Sequence, residues 1–118
     1  MTRLCSECFG MVFSNLEHID SNINAILNMG GVGVNDYFIE RCSDELSRYE
    51  IKDYDQGFAC IYDFGYEDDG ESYEIEIISE DHFMELLGLY IEEKVHSGNL
   101  ANTDAVELAT KYNIPYKE

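Results

Sequence analysis

The sequence predicts an α+β domain in which a small antiparallel sheet, with a central hairpin over about residues 57–78, packs with about four helices. Two observations lead there. Apolar residues alternate with period two only in the middle of the chain, and recur at helical spacing before and after it. The 118 residues also hold a single proline, no repeat and no low-complexity linker, so residues 1–118 are expected to form one domain. A chain of this length buries roughly two-thirds of its unfolded surface and can fold without disulfides or a structural metal.

The elements follow in order. Ser14-Asn15-Leu16-Glu17 has the spacing of a capping box. Leu16, Ile19, Ile23, Ile26 and Leu27 then recur at helical spacing until Gly30-Gly31, predicting a helix over about residues 15–29. From Asp36 to Tyr49, the positions of Phe38, Ile39, Cys42 and Leu46 suit a second helix. After Gly57 the rhythm changes: Phe58, Cys60, Tyr62 and Phe64 alternate with Ala59, Ile61 and Asp63, as in a strand with one buried face. A turn-like run, Gly65 to Glu71, leads to a second alternating run in which Tyr73, Ile75 and Ile77 oppose Glu74 and Glu76. These two strands form the hairpin, with a connection too long for a two-residue turn. Ser79 then caps a helix whose first turn carries Glu80 and Asp81 and whose stripe is Phe83, Leu86, Leu87, Tyr90 and Ile91. Ser97-Gly98-Asn99 ends it, and a last helix runs from Thr103 to Tyr112 before Ile114-Pro115. Further strands have candidate positions at Gly31 to Val34 and at Tyr49 to Tyr54.

Seven Lys and Arg stand against 25 Asp and Glu, a formal charge of −18, yet 45% of the residues are apolar and 13% aromatic. A chain so rich in apolar and aromatic side chains folds, so the acid lies on a folded surface. Such a surface repels nucleic acid and anionic lipid and attracts cationic proteins. No apolar stretch approaches the roughly 20 residues of a membrane span. Met1 to Val12 lacks the apolar run of a signal peptide, which predicts a cytoplasmic protein whose cysteines, at positions 5, 8, 42 and 60, stay reduced.

Several patterns invite chemistry and fall short of it. Cys5-Ser6-Glu7-Cys8 has the spacing of a zinc or redox pair, but no second pair follows, and small apolar residues at the chain start are the simpler reading. His18, His82 and His96 are scattered among acids and read as surface residues. Gly30, Gly31 and Gly33 lack the preceding strand and following Lys of a phosphate loop. The run Gly65 to Glu76 places Glu67, Asp69, Gly70 and Glu76 at calcium-loop positions, but Gly65 stands where an Asp is needed and the flanks are strands. No catalytic residue, metal or cofactor is expected.

What remains is the distribution of charge. Between Tyr49 and Glu93 lie 15 of the 25 acidic residues and one basic residue, Lys52. Tyrosine offers large contact area with a polar tip, and carboxylates pair with Arg in bidentate fashion. The expected partner-binding set is therefore Asp53, Tyr54, Asp55, Tyr62, Asp63, Tyr66, Glu67, Asp68, Asp69, Glu71, Tyr73, Glu74 and Glu76. A solvated sheet edge whose charges discourage pairing is the plainer account of any one of these residues. The cluster exceeds what the solubility of a small domain needs.

From Gly57 to Tyr112 the chain resembles the immunity proteins of bacterial contact-dependent growth inhibition systems, in particular those that neutralise ribonuclease toxins. The resemblance is carried by Gly57-Phe58-Ala59-Cys60-Ile61-Tyr62-Asp63-Phe64, the acidic connection, and Glu74-Ile75-Glu76-Ile77-Ile78-Ser79-Glu80-Asp81-His82-Phe83 leading into Met84-Glu85-Leu86-Leu87. It implies a cytoplasmic protein, not an enzyme, that binds a basic nuclease toxin domain and contacts neither nucleic acid nor membrane. Two other classes compete: an acidic nucleic-acid mimic that inhibits a DNA-binding protein, and a zinc or redox protein using Cys5 and Cys8. A duplex mimic needs acids spread along an elongated surface, whereas here they cluster.

Overall fold

The computed structural model describes residues 2–43, 57–65 and 73–116. The fold is α+β, as the sequence predicts. Two compact units divide the chain, Met1–Ser79 and Glu80–Glu118.

The first unit opens on helix α1, Arg3–Val12. Thr2 caps it, its hydroxyl accepting from the backbone N–H of Cys5 at 3.3 Å. Leu4, Cys5, Cys8, Phe9 and Val12 form the buried stripe. Thr2→Ala is expected to lower stability by about 1 kcal/mol and Thr2→Ser to retain most of it. The check is a shift of the urea midpoint at unchanged slope.

A 3-10 turn, Leu16–His18, leads into α2, Ile19–Asn28. Only the core of the first predicted helix survives as α-helix. The cap also moves by one residue, because Asn15 rather than Ser14 accepts from the N–H of Glu17, at 3.1 Å. Asn22 Nδ2 donates to the Val12 carbonyl at 2.9 Å and ties α2 to the end of α1.

Four strands follow: β1 Gly31–Val34, β2 Tyr37–Arg41, β3 Phe58–Asp63 and β4 Tyr73–Ile78. They form an antiparallel meander in the order β1-β2-β3-β4. The hairpin of β3 and β4 and the strand at Gly31 to Val34 match expectation. The helix expected from Asp36 to Tyr49 does not form over its first residues, which belong to β2; positions 44–49, like the candidate strand at Tyr49 to Tyr54, lie outside the described residues. The cause is local. Asn35 and Asp36 take positive φ angles of 50° and 69°, the geometry of a two-residue hairpin turn, and turn the chain back before a helix can start.

Register assigns the two faces of the sheet. Tyr37, Ile39, Phe58, Cys60, Tyr62, Glu74 and Glu76 share one face, and Phe38, Ala59, Ile61, Asp63, Tyr73 and Ile75 the other. Helix α1 packs along the first face against all four strands, and α2 lies against β1 and β2. On the second face Cys42, Ala59 and Ile61 are buried, with Phe38, Tyr73 and Ile75 packed against them. Phe58 to Ile61 are therefore buried on both sides, where the sequence predicts one buried face.

In the second unit α3, Glu80–His96, buries its predicted stripe of Phe83, Leu86, Leu87, Tyr90 and Ile91. Gly98, at φ 79°, closes it. Helix α4, Asn102–Tyr112, ends at Asn113 in the left-handed region (φ 55°), and its N–H bonds back to the Ala109 carbonyl.

Candidate partner-binding site at the hairpin

Where β2, β3 and β4 reach the hairpin tip, aromatic rings gather. The register sets Tyr37 beside Tyr62, and their rings stack at 4.4 Å between centroids and 10° between planes. Phe64, two residues beyond Tyr62 on the same side, packs on it at 4.9 Å. All three are half-buried.

Acidic groups surround this stack. Glu7 on α1 accepts from the Tyr37 hydroxyl at 3.3 Å and from Arg3 Nη1 at 3.0 Å through both of its oxygens. Arg3 reaches on to Glu74 through Nη2, so Glu74, Arg3, Glu7 and Tyr37 form one chain of contacts along the edge of α1. The Arg3 side chain is 62% exposed, so salt screens these pairs and their main effect is to orient the groups. Both carboxylates hold the guanidinium pKa above its ordinary value, chiefly through hydrogen bonds with Glu7 and then Glu74. Burial, followed by the Glu7 charge, pushes the Tyr37 phenol up. At the tip, Asp63 N–H bonds to the Asp36 carbonyl at 2.9 Å, placing two acidic residues on adjacent strand ends.

The expected site residues divide between the faces. Tyr62, Glu74 and Glu76 lie on the side of α1; Asp63 and Tyr73 lie on the opposite side, with Tyr73 packed against the Cys42, Ala59 and Ile61 cluster. Of these, Asp63 and Tyr73 pair at the open end of the hairpin, next to the Tyr62–Glu74 pair, while Glu76 stands opposite Cys60 in its middle. Asp53, Tyr54, Asp55, Tyr66, Glu67, Asp68, Asp69 and Glu71 lie outside the described residues.

Glu76 serves the interior as well as the surface. It accepts from the Thr2 hydroxyl and, at 3.1 Å, from Cys5 Sγ. Cys5 Sγ in turn lies 3.3 Å from Cys60 Sγ, and Cys8 Sγ donates to the Ile61 carbonyl at 3.5 Å. Cys5, Cys8 and Cys60 are buried, which fits the expectation that the cysteine pair is part of the apolar start of the chain. The Cys60 thiol is held far above its ordinary pKa by hydrogen bonds with Cys5 and Cys8 and by burial, while its bond to Cys60 lowers that of Cys5. Among the described residues no three His, Cys, Asp or Glu side chains are arranged to hold a metal ion. His18, His82 and His96 are exposed, as expected.

The chain matches no protein-family model, no curated protein and no solved structure.

Sequence reasoning missed Tyr37, Glu7 and Phe64 as parts of the site. Tyr37 was assigned to a helix, and Glu7 stands on a helix that was not predicted. The signal for Tyr37 is Asn35-Asp36 between two short apolar runs, and for Glu7 it is the helical spacing of the apolar residues flanking it. No membrane-spanning helix is present among the described residues.

Proposed function

We propose that this chain is a cytoplasmic immunity protein that binds and neutralises a basic nuclease toxin domain of a contact-dependent growth inhibition system, and does no chemistry of its own. One observation carries the reading: 15 of 25 acidic residues and one basic residue fall between Tyr49 and Glu93, the stretch that contains an aromatic-tipped hairpin. A ribonuclease must hold RNA phosphates with Lys and Arg, so an acidic surface competes for the same groups. Half-buried rings supply contact area with few rotors to immobilise, and neighbouring carboxylates supply bidentate acceptors for Arg. The residues assigned to the contact are Asp53, Tyr54, Asp55, Tyr62, Asp63, Tyr66, Glu67, Asp68, Asp69, Glu71, Tyr73, Glu74 and Glu76, with Tyr37 and Phe64 added because their rings pack beside Tyr62. Glu74 and Glu76 contribute their remaining lone pairs, since each also holds a group of α1.

The test replaces Asp63, Asp68 and Asp69 by Asn and Glu67 and Glu71 by Gln in one variant. Its association with a basic ribonuclease toxin domain that the unaltered protein binds is then followed by stopped flow across a salt series. The association rate at low salt should fall by about ten-fold or more, and its dependence on salt should flatten. An unchanged rate, with circular dichroism showing an intact fold, would remove the hairpin from the interface.

A further inference from the structure

Three thiols and a carboxylate converge between α1 and the sheet, and the partner-binding reading uses none of the thiols. We infer that Cys5 and Cys60 form an oxidisable dithiol that closes to a disulfide and staples α1 to the central strand β3. Their sulfurs lie 3.3 Å apart in the reduced protein, and a disulfide requires about 2.0 Å. Closure therefore needs the sulfurs to approach by about 1.3 Å, at the first turn of α1. Cys8, the third thiol of the group, donates to the Ile61 carbonyl at 3.5 Å. Cys42 belongs to the cluster on the opposite face of the sheet.

The chemistry divides between the two sulfurs. Cys5 is the nucleophile: it sits in the first turn of a helix, its contact with Cys60 lowers its pKa against the opposing effects of burial and the Glu76 charge, and Glu76 Oε2 at 3.1 Å is placed to take its proton. The oxidant is hydrogen peroxide. Cys5 sulfur attacks one peroxide oxygen, the O–O bond breaks, and the leaving hydroxide takes the thiol proton, by way of Glu76, to give water and a sulfenic acid. Cys60 sulfur then attacks Cys5 sulfur, the S–O bond breaks, and the departing hydroxide leaves as water with the Cys60 proton. Two thiols are oxidised by two electrons and one peroxide is reduced to two waters. Both sulfurs are buried, so the oxidant enters when the first turn of α1 opens, and that opening sets the rate. The bond would close a loop between residues 55 apart in sequence and constrain the unfolded chain.

The folded protein is treated with hydrogen peroxide, alkylated after unfolding, and mapped by mass spectrometry. The expected result is loss of two of the four thiols, a Cys5–Cys60 cross-linked peptide as the main product, an upward shift of the urea midpoint, and full reversal by dithiothreitol. Cys42→Ser should leave the yield of that peptide unchanged. Cys60→Ala should abolish it and leave Cys5 trappable as a sulfenic acid by dimedone. A main product joining Cys5 to Cys8, oxidation confined to Cys42, or four unreacted thiols in the folded protein that oxidise only after unfolding would each overturn the assignment.

Discussion

Phe58→Ala is expected to lower stability by about 3–5 kcal/mol, the range for truncating a fully buried aromatic side chain. Phe58 has no exposed surface and opens the strand that pairs on both sides, opposite Arg41 of β2 and Ile78 of β4. The Arg41 guanidinium lies 4.7 Å from its ring centroid, and the same guanidinium donates to the Leu27 carbonyl in the last turn of α2. Removing the ring therefore leaves a void in the core and also takes away the surface against which Arg41 is held while it caps α2. Small domains have about 5–15 kcal/mol in total, so the loss is a large share of it. Urea unfolding followed by circular dichroism checks this: the midpoint should fall sharply, and Phe58→Leu, which leaves a smaller void, should fall clearly less. A loss under about 1 kcal/mol for the alanine variant would contradict the packing described for β3.

How far the fold could be read in advance depended on whether local spacing had one interpretation. The strands Phe58–Asp63 and Tyr73–Ile78 and the helix Glu80–His96 were legible because alternation in the first two, and the five-residue stripe in the third, fit no other element. Helix α1 carries an equally clear stripe, Leu4, Cys5, Cys8, Phe9 and Val12. It passed unnoticed because two of its five positions are cysteines, which were read as small apolar residues at the chain start without being counted into a helical stripe. At β2 the ambiguity was real. Phe38 and Ile39 are adjacent, which suits a helix face as well as a strand whose two sides are both covered, and only the turn residues Asn35 and Asp36 decide between them.

The candidate site was legible in its composition and not in its geometry. That acid and tyrosine concentrate around the hairpin is visible in the letters alone. That Glu74 meets Arg3, and Glu76 meets Thr2 and Cys5, is not, because those partners stand more than 70 residues away and depend on α1 lying along that face of the sheet. The same holds for the approach of Cys5 to Cys60. Spacing rules read neighbours within an element, and each of these contacts joins two elements.

Gly88→Ala should destabilise the second unit by about 2 kcal/mol. A methyl group there would come within 1.9 Å of the Pro115 carbonyl oxygen and 3.1 Å of its carbon. The obstacle is backbone, which cannot rotate away as a side chain would, so the cost lies at or above the top of the roughly 1–3 kcal/mol range for overpacking. Alanine's better helix propensity returns about 1 kcal/mol. Gly10 in α1 offers the opposite case. It too is helical, but a methyl group there meets nothing within 4 Å and its φ is not positive, so Gly10→Ala should raise stability by about 0.5–1 kcal/mol. Thermal or urea melts of the two variants side by side give the check. One chemical change with opposite signs at two helical glycines would separate close approach of the chain from helix propensity as the reason for a glycine at position 88, and a stabilised Gly88→Ala variant would show that Ile114 and Pro115 do not cross α3 at that distance.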